Sequence, residues 1–167
     1  MKKLAFIITS LLVFGIFNYS IYEKEKIKTE GETVFLELAP VDPRSLMQGD
    51  YMRLNYAINN QSGTEIKEKR GYLVISIDPL TKVAKFSRFH NGEILAANEK
   101  LLRFHNQYGR VRIVPDSFMF QEGHAKIYEG AKYGVFKFNN TGDHILVDLA
   151  DTDRRLIQTD TEMKNRN

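Results

Sequence analysis

From Leu4 to Tyr22 the chain runs through nineteen residues, "LAFIITSLLVFGIFNYSIY", without one charged side chain. At a rise of about 1.5 Å per residue, a helix of that length reaches roughly the ~30 Å hydrocarbon thickness of a bilayer. Lys2 and Lys3 precede the run, and Tyr19 and Tyr22 fall where interfacial aromatics sit. A cleaved signal peptide is the competing reading, but cleavage wants small residues and "GIFNYSIYEKE" offers bulky ones. The absence of cysteine removes lipoprotein-type attachment. The expectation is an uncleaved signal anchor over residues 1–22 that enters the lipid bilayer through residues 4–22. Lys24, Lys26 and Lys28 follow the run mixed with Glu23 and Glu25, so the positive-inside balance is nearly even. An N-terminal anchor with such a start most often leaves its domain outside the cytoplasm.

The rest of the chain has room for one domain. Residues 23–32, "EKEKIKTEGE", read as a charged spacer, residues 33–150 as the folded domain and residues 151–167 as a polar, flexible tail. Hydrophobic residues make up 43% of the chain, enough for a core. The net charge of +3 is small and scattered, which argues against a nucleic-acid partner.

The dominant period in the domain is two. Val34, Leu36 and Leu38 share one face of "TVFLELAPV". Met52, Leu54, Tyr56 and Ile58 share one face of "YMRLNYAI", with Tyr51, Arg53 and Asn55 on the other. "NNQSGTEIKEKRG" reads as a polar excursion with room for one helical turn. Three hairpins follow, turning at Asp78-Pro79, near Asn106 to Gly109, and at "NNTGD". Between the last two, Phe120, His124, Ile127, Tyr128 and Ala131 recur at helical spacing, with Asp116 or Ser117 able to cap the start. About eight strands, short links and one short helix predict a mainly β domain: a single antiparallel, partly open barrel or sandwich behind one transmembrane helix.

Chemistry is sparse. His90, His105, His124 and His144 show no metal-ligand spacing and read as histidines on solvated faces. No phosphate-binding glycine loop is present, and no cofactor is expected. A Ser/Lys dyad would need a desolvated lysine beside Ser45, and Lys85 is the one candidate. In "PVDPRSLMQGDYMRLNYAI", Gly49 and Asp50 suit a turn, while Leu54 and Tyr56 key the strand into the core. Asp42, Arg44, Asp50, Tyr51 and Arg53 would then form a polar interaction surface beside that turn. A ligand-binding barrel mouth lined by Tyr51 and Tyr56 fits less well, because alternation sends the two to opposite faces.

"GDYMRLNY" resembles the G-D-Y-x-x-L-x-Y signature of the GDYXXLXY family of bacterial membrane-anchored proteins, carried here by Gly49, Asp50, Tyr51, Leu54 and Tyr56. "PVDPRSLMQ" and "FMFQEGHAKIYEGAKYG" are similar to that family as well, over roughly Thr33 to Leu149. The resemblance implies a single-pass protein of a bacterial inner membrane, with its domain on the periplasmic or extracellular side. It also implies a multi-span membrane protein as partner, and no defined activity. A weaker likeness in the order of "SLMQGDYMRL" and "VPDSFMFQEG" is to type I signal peptidases, which would put Ser45 near a nucleophile. The chain departs from that pattern: Gln121-Glu122-Gly123-His124 stands where the peptidases have G-D-N-R, and no lysine has the required context. The leading expectation is a binding or assembly partner. The alternative is a degenerate serine hydrolase.

Overall fold

The computed structural model describes residues 2–39, 47–48, 51–61, 68–139 and 141–157. The chain begins with helix α1 (Lys2–Glu30), long and apolar enough to cross a membrane, with none of its apolar window buried against the rest of the protein. An apolar surface on all sides of a helix needs non-aqueous surroundings. The charged stretch continues the same helix as far as Glu30. Its single-turn spacing places Glu25 three residues from Lys28, and the two side chains approach to 3.9 Å.

Ten strands follow among the described residues. Seven form one curled half-barrel sheet: β1 (Glu32–Glu37), β4 (Arg70–Ile77), β5 (Val83–Phe89), β6 (Glu99–Gln107), β7 (Arg110–Ile113), β9 (Tyr133–Phe138) and β10 (His144–Ala150). Their order is β10-β9-β1-β5-β4-β6-β7. The hairpins fall at the three expected turns. At the first, the Asp78 carboxylate accepts from the backbone N–H groups of Leu80 and Thr81, at 2.9 and 2.8 Å. The small sheet has the order β2 (Met47–Gln48), β3 (Tyr51–Arg53), β8 (Ser117–Met119).

The fold is mainly β as expected, with two departures. One pair is parallel: β1 runs alongside β5, Phe35 opposite Val83 and Leu36 opposite Ala84. A parallel pair needs a long crossover, and the chain between them supplies one by passing through the small sheet, the helical turn α2 (Ile58–Gln61) and β4. The second departure is the stretch expected to be a helix capped by Asp116 or Ser117. Ser117–Met119 is instead a strand on the edge of β3, and the helix is only α3 (Ala125–Tyr128). Gly123, at φ +84, interrupts the helical spacing. Phe118 and Phe120 reach the Tyr128 ring at 5.2 and 5.4 Å, so aromatic packing overrides periodicity.

The core lies between the large sheet and the layer of β3, β8 and the two short helices. Val34, Leu36, Leu73, Ile75, Leu102, Phe104 and Phe136 from the sheet meet Met52, Leu54, Tyr56, Ile58 and Tyr128. After β10 the chain does not fray at Thr152. The Asp151 carboxylate accepts from the N–H groups of Asp153 and Arg155, and Ile157 N–H returns to the Leu149 carbonyl at 3.0 Å.

Candidate functional site

Two places collect functional groups: the segment after the turn, Tyr51 to Tyr56, and the joint between α1 and the domain. Asp42, Arg44, Ser45, Gly49 and Asp50 lie outside the described residues. The nearby segment shows what its alternating pattern does. Met52, Leu54 and Tyr56 are buried, Tyr51 is half-buried and Arg53 is exposed. Arg53 stands opposite Ser117, and Tyr51 stands opposite Met119, whose side chain is open to solvent.

Tyr56 is fully buried, and its hydroxyl donates to the Pro115 carbonyl at 2.7 Å. Its ring meets Phe136 edge to face, with centroids 5.7 Å apart. Burial, with Asp116 nearby, raises the phenol well above its usual range and keeps it a neutral donor. Backbone bonds reach the same segment from both sheets: Leu54 N–H donates to Asp116 at 2.8 Å, and Ala57 N–H to Glu37 at 2.9 Å. Residues 54–57 are therefore the clasp between the two sheets. Gly134 completes it, since a Cβ there would lie 3.1 Å from the Tyr56 ring. Pro115 and Gly134 are partners of Tyr56 that the linear pattern did not disclose.

The second place is where α1 enters β1. Gly31 N–H donates to the Ile27 carbonyl at 2.9 Å, and Lys137 Nζ donates to the Gly31 carbonyl at 3.1 Å. A Cβ on Gly31 would overlap the Ile27 carbonyl oxygen and lie 3.0 Å from that of Phe138. Next to it, Glu32 pairs with Lys82 at 3.2 Å and Lys100 at 3.1 Å. The Lys100 hydrogen bond is the largest influence holding the Glu32 carboxyl below its ordinary range. These contacts tie the helix to the sheet with no slack residue between them.

Beside the joint lies a groove of about 1030 Å³, bordered by Ser20, Glu23 and Ile27 on the helix and by Arg103, His105 and His144 on the domain. His144 corrects the expectation of four solvated histidines. Its ring stacks on Phe138 at 4.9 Å, and burial lowers its pKa. His90 and His124 also differ, each holding a buried Nδ1 with no hydrogen-bond partner among the described residues. No group of three metal-ligating side chains occurs among the described residues.

Lys85 is exposed on β5 opposite Ser76, without the burial that a Ser/Lys dyad requires. A different cation is engaged close by. Arg88 binds both oxygens of Glu99, at 2.5 and 3.1 Å, and reaches Glu93 at 2.6 Å. The Arg88 hydrogen bond is the main cause of a Glu99 pKa of about 2. This fork pins the 93–99 loop onto the sheet.

A family model described as GDYXXLXY protein matches residues 13–149, from within α1 to β10. No curated protein and no solved structure matches the chain.

Proposed function

Because the chain belongs to the GDYXXLXY protein family, we propose that it works as a membrane-anchored binding or assembly partner of a multi-span membrane protein, its β domain facing the periplasmic or extracellular side. The observation that carries this reading is the slack-free joint at Gly31, where helix, β1 and Lys137 are bonded together. A tether for a free-ranging domain would use a flexible linker. A continuous helix docked on the sheet instead holds the domain at one height and attitude above the bilayer, where a neighbouring membrane protein can meet it. The outer side of the β3–β8 pair, with Arg53 and Met119 exposed and Tyr51 half-buried, is the surface this reading assigns to the partner. Asp42, Arg44 and Asp50 extend that assignment along the chain.

The test is purification of the tagged full chain from native membranes in mild detergent. The expected result is a stoichiometric multi-span protein that is lost when Tyr51 and Arg53 are both replaced by alanine. Repeated recovery of the chain alone, at its monomer mass of 19.3 kDa plus detergent, overturns the reading.

A further inference from the structure

One face of the β4–β6–β7 end of the sheet is unusually cationic. The register places Arg70 opposite His105, and His105 opposite Arg112, as one row across three strands. Neighbouring rows set Tyr72 opposite Arg103 and Gln107 opposite Arg110. Cations arrayed across adjacent strands repel one another. Arg112 is relieved by Asp116 at 3.1 Å. Among the described residues Arg70, Arg103 and Arg110 are exposed and form no ion pair, and Arg103 rests over the Tyr72 ring at 5.6 Å.

This face adjoins the anchor. Arg103 and His105 border the same groove as Ser20 and Glu23, which stand at the end of the apolar run of α1. The β6–β7 turn presents Tyr108, which is 97% exposed, in the manner of an interfacial aromatic. The described surface thus combines unneutralised arginines, an exposed tyrosine and direct continuity with a helix able to span a membrane.

We propose that the β4–β6–β7 face lies against the bilayer its own anchor crosses and binds the phosphates of anionic lipid headgroups through Arg70, Arg103 and Arg110. Arginine forks suit phosphate oxygens, and basic residues held at an anionic surface bind it in a salt-dependent way. The proposal uses α1 as a span but requires no protein partner.

The chain has no cysteine, so Tyr108→Cys gives one labelling site. The full-length protein, labelled there with a fluorophore, is placed in nanodiscs of phosphatidylcholine alone or with about a third phosphatidylglycerol. Quenching by headgroup-spin-labelled lipid should be about threefold stronger in the anionic discs and should fall to the neutral level in high salt. Replacing Arg70, Arg103 and Arg110 by glutamine should remove the difference. Equal quenching in both lipids, or a difference indifferent to salt, overturns the proposal without any mutant. Persistence of the difference in a folded triple variant overturns it too. Because the discs hold no other protein, failure here leaves the protein-partner reading of the previous section separately testable.

Discussion

The Tyr56 hydroxyl donates a 2.7 Å hydrogen bond to the carbonyl oxygen of Pro115. It joins the segment leading out of β3 to the loop that leads into β8, with the tyrosine ring itself fully buried. Tyr56→Phe keeps the ring and strands the acceptor, and should cost about 1 kcal/mol. Tyr56→Ala also removes the ring against Phe136 and should cost about 3–5 kcal/mol. Thermal unfolding of the full chain in detergent micelles checks the order. Equal midpoints for wild type and Tyr56→Phe would show that the bond contributes nothing.

Gly134 leaves room for that ring. A Cβ there would meet Tyr56, Phe136 and Leu146 at 3.1, 3.2 and 3.3 Å. Gly134→Ala should destabilise by about 1–3 kcal/mol through overpacking. Its cost should shrink in a Tyr56→Leu background, and a double-mutant cycle measures the coupling.

Acid should weaken the domain in two steps of the same sign. His144 is favoured in its neutral form by burial, so its contribution is present above the ordinary value of 6.5 and is lost as pH falls through its lowered folded value. Glu99 is depressed from 4.5 to about 2 chiefly by Arg88, so its contribution is present above 4.5 and disappears as pH falls toward about 2. Melting midpoints taken from neutral to acid pH should decline across both windows. His144→Phe should flatten the upper part of the profile and Glu99→Gln the lower part.

The joint at Gly31 predicts a mechanical phenotype. Gly31→Val cannot be accommodated beside the Ile27 and Phe138 carbonyls, so the helix must lift from the sheet. Spin labels at Lys28→Cys and Thr141→Cys should give a narrow distance distribution in the otherwise unaltered chain and a broad one with Gly31→Val. An unchanged distribution would mean that the helix is not held where the contacts put it.

Much of this was legible in the sequence because it is local. The burial of Met52, Leu54 and Tyr56 follows from alternation, and the hairpin at Asp78 from its side chain closing the turn. What stayed hidden depends on distant partners. Ser117–Met119 looks helical until β3 offers it an edge. His144 looks solvated until Phe138 supplies a stacking surface. The joint at Gly31 needs Lys137 and Phe138, about a hundred residues later, and one glycine in a charged run does not announce them. That Tyr51 and Arg53 turn away from the face of Met52 and Leu54 was readable from alternation, and the one is half-buried and the other exposed. The arginine rows of β4, β6 and β7 were not readable, because they exist only once the strands are in register.

The position of β1 bears on how the protein is made. The first strand to follow α1 takes a place inside the sheet, between β5 and β9. During synthesis it must wait for Val83 on one side and for residues 133–138 on the other. At ~5–20 residues per second, the second wait lasts roughly 5–20 s. For that interval β1 is paired along its β5 edge alone, with the edge meant for β9 left open. Truncation before Phe138 leaves that edge open permanently, which makes the shortened chain a substrate for quality-control proteases and chaperones.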